Sequence, residues 1–156
     1  MTSDMFQAIR LKQSAIDQRL ATVPNIHVRG HNGETLLHEA VAHDNADAAE
    51  WLIQHGAEVS AQDRNGQTPL HFAAAHSNVA MARLVLDGGA DVGVFDAHGN
   101  TPLWTAVFNA RGKYELVSAI LAAGGARVAN TKNKAGRSPL DFAKQIGDVL
   151  LVKMLS

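Results

Sequence analysis

The chain has no cysteine in its 156 residues, so neither a disulfide framework nor a thiolate metal site can be built from it, a usage that fits a reducing compartment. Neither sign of charge is in excess. The 14 Lys and Arg against 15 Asp and Glu leave a net charge of −1, which predicts no general attraction to nucleic acid or to an anionic membrane. No apolar run approaches the ~20 residues of a transmembrane helix. The N-terminal stretch MTSDMFQAIRLKQSAIDQRLATV is polar and amphipathic and lacks the apolar block of a secretory signal. An N-x-[ST] acceptor is also missing, and the cytoplasm is the expected location. What is present, 46% apolar against 19% charged residues, is the composition of a folded protein, and the length is that of one domain with a core that needs no staple.

Catalytic signatures are equally scarce. G-x-S-x-G, the P-loop and G-x-G-x-x-G are all missing, and Gly112-Lys113 has neither the upstream Gly nor the Ser or Thr of a phosphate loop. One string invites a metal reading: LLHEAVAH, where Glu39 follows His38 and His43 comes shortly after. Zinc hydrolases place two histidines four residues apart on one helical face; a spacing of five turns the second ring roughly 140° away from the first at 3.6 residues per turn. A later copy, LHFAAAH, keeps both histidines and drops the Glu that a metal-activated water requires.

The copy belongs to a period that organises the whole chain. NGETLLHEAVAHDN starts at Asn32 and NGQTPLHFAAAHSN at Asn65, 33 residues on; HGNTPLWTAVFNAR starts at His98, again 33 on, and AGRSPLDFAKQIGD at Ala135, 37 on. In each unit a hydroxyl residue (Thr35, Thr68, Thr101, Ser138) stands where an N-cap can accept a free backbone N–H. Pro69, Pro102 and Pro139 follow at the first helical position, where a missing N–H costs nothing. An Ala-rich inner helix comes next, then a second helix with a larger apolar stripe (Trp51, Leu52, Ile53; Leu84, Val85, Leu86) that stops at Gly56, Gly89 or Gly124-Gly125. Asp, Asn and Gly fill the turn to the next unit.

A 33-residue period carrying G-x-T-P-L-H-x-A-A and G-A-D-V resembles the ankyrin repeat. The resemblance covers residues 23 to 156 and implies an all-α repeat solenoid of ankyrin repeats, each a β-turn plus an antiparallel helix pair touching only its neighbours. The expected layout is a single domain over 1–156: an N-terminal cap and first turn over 1–31, repeats over 32–64 and 65–97, an irregular repeat over 98–134 and a truncated one over 135–156. Phe6, Ile9, Ile16 and Leu20 recur at helical spacing and predict a divergent cap helix within residues 4–22. Three departures stand out: Leu36 replaces the first proline, Trp104 replaces the histidine of the third unit, and Leu150 makes the C-terminal end unusually apolar.

The resemblance also divides the histidines. His38 and His71 take the buried position that hydrogen-bonds within and between units, while His43 and His76 fall on the exposed face of the inner helix. Adjacent exposed histidines lie about 10 Å apart, one helix diameter, too far to share a zinc whose ligands sit about 2 Å away. No catalytic, cofactor or metal residue is therefore assigned, although a histidine-dependent metalloenzyme stands as a rival reading. Asp63 and Asp96 are expected to bond within their turns.

Partners of this family dock on turn tips and on the concave face of the inner helices. Carried over by position, the partner-binding residues are Arg29, His31, Asn32 and Glu34 in the first turn, Arg64, Asn65 and Gln67 in the second, and Phe95, His98 and Asn100 in the third. The inner helices add His43, His76, Phe108 and Asn109. Phe95 and Phe108 are aromatics at open positions, as interface anchors are; alternatively the irregular loop after Phe108 folds over it. Arg29, Arg64, Lys132, Lys134 and Arg137 oppose Glu34 alone, so the face is expected to attract an acidic protein surface, more strongly as pH falls through about 6.5 and its histidines gain charge. The expected function is a non-catalytic protein–protein interaction module, monomeric by itself, with no nucleic-acid or membrane partner. The alternative is an inhibitor or immunity protein that occludes the active site of an enzyme or toxin.

Overall fold

A computed structural model describes residues 2–156, with side chains from Asp4 onward; its described residues form ten α-helices, a short 3-10 turn and no strand, with one isolated bridge between Arg29 and Thr35. Four inner helices begin at the predicted hydroxyl residues: α3 (Leu36–Ala42), α5 (Pro69–Ala75), α7 (Pro102–Asn109) and α9 (Pro139–Gln145). Thr35, Thr68, Thr101 and Ser138 hold φ between −99° and −89°, and each side chain accepts the N–H three residues on. His38, His71 and Asp141 return the bond to the cap's own N–H, completing a capping box; Trp104 has no acceptor and cannot.

The partner helices are α4 (Ala46–Gln54), α6 (Val79–Asp87), α8 (Glu115–Ala122) and α10 (Val149–Leu155). Asn45, Asn78 and Asp148 cap three of them, and Gly56, Gly89 and Gly124 follow the first three at φ of 85°, 90° and 95°, where a side chain is strained. Inner helices stack on inner helices, and α4, α6 and α8 form a second column. Ala40, Ala73, Ala74, Ala106 and Ala143 are buried between them with Leu37, Leu70, Leu103 and Leu140, so small residues set the spacing and leucines fill it.

The N-terminal segment differs from a lone cap helix. It is a helix pair, α1 (Thr2–Arg10) and α2 (Ile16–Leu20), which stack on α3 and α4 respectively. Lys12 and Ala15 turn the chain between them in the left-handed region, at φ of 48° and 55°, much as Asp44 and Ser77 do at 53° and 52° between later helix pairs. Asn45 Nδ2 donates to the Ile9 carbonyl at 3.0 Å and fastens the pair to the first repeat. The extra residues of the third unit form the loop around Arg111 and Gly112 and the 3-10 turn Gly125–Val128. Tyr114 in that loop donates to Asp148 Oδ2 at 2.7 Å, tying it to the N-cap of α10. At the far end Val149 and Leu150 lie exposed, the apolar surface that the composition implies.

Candidate functional site

One edge of the stack is a ladder of turns. Arg64, Ala97 and Lys134 each donate a backbone N–H to the carbonyl of Asn32, Asn65 and His98, at 2.9, 2.8 and 3.0 Å, one rung per junction. Within the turns, Asp63 Oδ1 accepts from the N–H groups of Asn65 and Gln67, and Asp96 Oδ1 from those of His98 and Asn100, so both carboxylates are used in turn geometry.

The buried histidines lock this edge to the helices. His71 Nδ1 accepts from Thr68 N at 3.1 Å, so its Nε2, 3.1 Å from the Asn100 carbonyl, carries the proton and donates across the junction. His38 repeats the arrangement with Thr35 N at 3.1 Å and the Gln67 carbonyl at 2.9 Å. Burial pushes both imidazoles below their ordinary value of 6.5, partly offset by the carbonyl bonds. The unfolded chain then binds the extra protons, so this contribution is complete above about pH 6.5 and is lost as pH falls below it. The urea midpoint is expected to drop between pH 7 and pH 5, and to drop less in a His38→Gln/His71→Gln variant; equal pH slopes in the two proteins would rule the cause out.

Two overlapping matches to the family model for ankyrin repeats (3 copies) run over residues 5–96 and 37–132. The chain belongs to the ankyrin-repeat family. Ankyrin repeats are in general protein–protein interaction modules, so attention falls on the ankyrin surface that the turns and inner helices leave open.

The residues assigned from sequence divide into free and committed groups. Phe95 and Phe108 are 45% and 53% exposed, and the loop after Phe108 does not cover it. His31, Asn32, Arg64, Asn65 and His98 are exposed at the tips, with side chains that make no hydrogen bond or ion pair among the described residues. Others serve the ankyrin stack. Arg29 donates to the Gly33 and Gln62 carbonyls at 3.0 and 2.8 Å and pairs with Glu58 at 3.6 Å, bracing the first turn on the second. Glu34 accepts from Asn32 N, the Gln67 carbonyl accepts from His38 Nε2, and Asn100 Oδ1 accepts from Asn133 Nδ2 at 2.8 Å. Asn109 donates to the Thr105 carbonyl and His76 to the Phe72 carbonyl, each within its own helix.

His43 is half-exposed and faces Glu39, not solvent alone. Glu39 is a buried carboxylate that accepts from Arg10 Nε at 2.6 Å and lies 3.2 Å from His43 Nε2. This trio was not legible as a unit, because Arg10 arrives from α1, a helix outside the repeated motif. Among the described residues no three His, Asp or Glu side chains gather as metal ligands, and no helix is long and apolar enough to cross a membrane. Phe142 and Ile146 were also passed over: Phe142 lies 5.3 Å from Phe108 between ring centroids, and Ile146 is half exposed.

Proposed function

We propose that this ankyrin-repeat chain is a non-catalytic binding module that holds a partner protein, one with an acidic surface, across its turn tips and the open side of its inner helices. The observation that supports this most directly is the exposure of Phe95 and Phe108, with Arg64 exposed and free of an acidic partner among the described residues at the turn tips. Large aromatics left in water by a monomer are costly, and where polar groups ring them they are the residues that dominate interface energies. Charge then steers the encounter.

The test is capture of bound proteins from native lysate by the full chain, beside a Phe95→Ala/Phe108→Ala variant, followed by affinity measurement with the purified partner. Loss of capture by the double variant is expected, together with weaker binding in Arg64→Glu and at about 0.5 M salt, where screening leaves only short-range attraction. Binding indifferent both to salt and to Arg64→Glu would remove the acidic partner from the reading. An enzyme or toxin that loses activity when captured would select the inhibitor form of the same function.

A further inference from the structure

Neighbouring inner helices place four side chains in one patch: the third residue of the first helix and the one four later, and the fourth residue of the next helix and the one four later. Between α3 and α5 these are His38, Ala42, Phe72 and His76; between α5 and α7 they are His71, Ala75, Thr105 and Asn109. Between α7 and α9 they are Trp104, Phe108, Phe142 and Ile146, and only here are all four apolar. Three are in ring contact. Trp104 and Phe108 stack at 5.1 Å with their planes 15° apart, and Phe142 lies 5.9 and 5.3 Å from them. Phe108 and Ile146 are 53% and 51% exposed, so the patch meets water.

Trp104 adds a sign that stacking alone does not explain this patch. Its equivalents, His38 and His71, bond the next turn; Trp104 Nε1 is buried without a partner among the described residues. An unpaired buried donor is a local cost, and such costs gather at functional sites.

The turn before α9 carries Lys132, Lys134 and Arg137. Arg137 Nη1 donates to Gln145 Oε1 at 3.2 Å, which holds its guanidinium beside the last turn of α9. Asp141, the third residue of α9, is held below the usual carboxylate range mainly by its bonds to Ser138. That carboxylate is occupied with the α9 cap. Lys132, Lys134 and Arg137 enter no ion pair among the described residues. The asymmetry extends through the chain: residues 98–156 hold eight Lys and Arg against three Asp and Glu, and residues 1–97 hold six against twelve. An acidic ligand is therefore attracted to this end and repelled by the other.

Resting on the reading that this face binds protein, we propose that the Trp104–Phe108–Phe142–Ile146 patch anchors an acidic peptide segment of the partner, one bulky apolar side chain of which packs on the rings while its carboxylates meet Lys132, Lys134 and Arg137 of the turn before α9. The probe is a short peptide of Asp and Glu around one central Phe, with a Phe→Ser peptide and a Lys-for-acid peptide beside it. In a Trp51→Phe background Trp104 is the only tryptophan left, and its fluorescence reports binding. The acidic Phe peptide is expected to saturate the signal, with affinity falling about tenfold or more for the Ser peptide, for Phe108→Ala and for Lys134→Glu/Arg137→Glu. No saturable response at millimolar peptide, or equal binding of the Lys peptide, overturns the proposal. Peptide binding lost in Arg64→Glu but kept in Phe108→Ala and Lys134→Glu/Arg137→Glu overturns it as well and leaves the broader face intact. That face is itself refuted only if the purified partner binds the Phe95→Ala/Phe108→Ala and Arg64→Glu variants as it binds the parent.

Discussion

Replacing His71 with alanine is expected to lower the free energy of unfolding by about 3 kcal/mol and to broaden or split the urea transition. His71 is fully buried and uses both ring nitrogens. Truncation leaves Thr68 N without its acceptor, takes the donor from the Asn100 carbonyl and opens a cavity the size of an imidazole. The position of the loss matters as much as its size. In a stack whose units contact only neighbours, stability is approximately a sum of unit and junction terms, and His71 serves the junction between the second and third turns, near the middle of the chain. Weakening that junction lets α1–α6 and α7–α10 unfold at different denaturant concentrations. Circular dichroism against urea gives the midpoint and the width. A cost below about 1 kcal/mol with an unbroken transition would mean that the ring bonds contribute little beyond what water supplies to the freed groups.

His38→Ala removes the equivalent bonds at the preceding junction, and a comparable cost with less splitting is expected because fewer elements lie on its N-terminal side. The third unit shows what the stack does without this ring. Trp104 closes no capping box, its donor has no acceptor among the described residues, and the junction keeps the Lys134 N to His98 carbonyl rung common to all three, together with the Asn133 to Asn100 side-chain bond.

Much of this was legible in the letters. Thr35, Thr68, Thr101 and Ser138 announced four helix starts because an N-cap hydroxyl and a following proline or leucine have few other uses, and the inner helices begin there. The N-terminal helix pair was not legible as a pair, since its link is made by Lys12 and Ala15 in left-handed conformations with no glycine to mark them. At the candidate face, the repeat register identified Phe95 and Phe108 as open. It could not show which polar tip residues are spent inside the fold, because Arg29, Gln67 and Asn100 act through carbonyls that carry no sequence signal. Phe142 and Ile146 were readable in principle. The fourth unit is offset by 37 residues instead of 33, and that offset aligns them with Thr105 and Asn109, but the patch emerges only across two helices and not along one turn.

The turns supply the other large expected effect, and with it an internal control. Gly66 and Gly136 occupy the same place in two turns and have the same backbone, φ of 73° and 74°. Alanine is strained there by about 1–2 kcal/mol at either site, since an L side chain crowds the following carbonyl in the left-handed region. The surroundings differ. A Cβ on Gly66 would sit 3.0 Å from Ala97 N and 3.1 Å from the Cα and carbonyl carbon of Asp96, all backbone of the next turn, whereas nothing lies within 4 Å of a Cβ on Gly136. Backbone cannot rotate away as a side-chain tip can, and Ala97 N is the donor of the rung to the Asn65 carbonyl at 2.8 Å. Gly66→Ala must therefore push the second and third turns apart as well as bear its own strain, for a total of about 3–4 kcal/mol, while Gly136→Ala is limited to about 1–2 kcal/mol. Hydrogen exchange at Ala97 N gives a local reading of the same event: its protection should fall in Gly66→Ala and persist in Gly136→Ala. Equal destabilisation by the two substitutions, with Ala97 still protected in both, would mean that backbone strain alone sets the cost and that the stack yields freely at its turns. A larger loss at Gly66 would mark the ladder of turns as a rigid edge, one able to hold Phe95 and the free tip residues in fixed register.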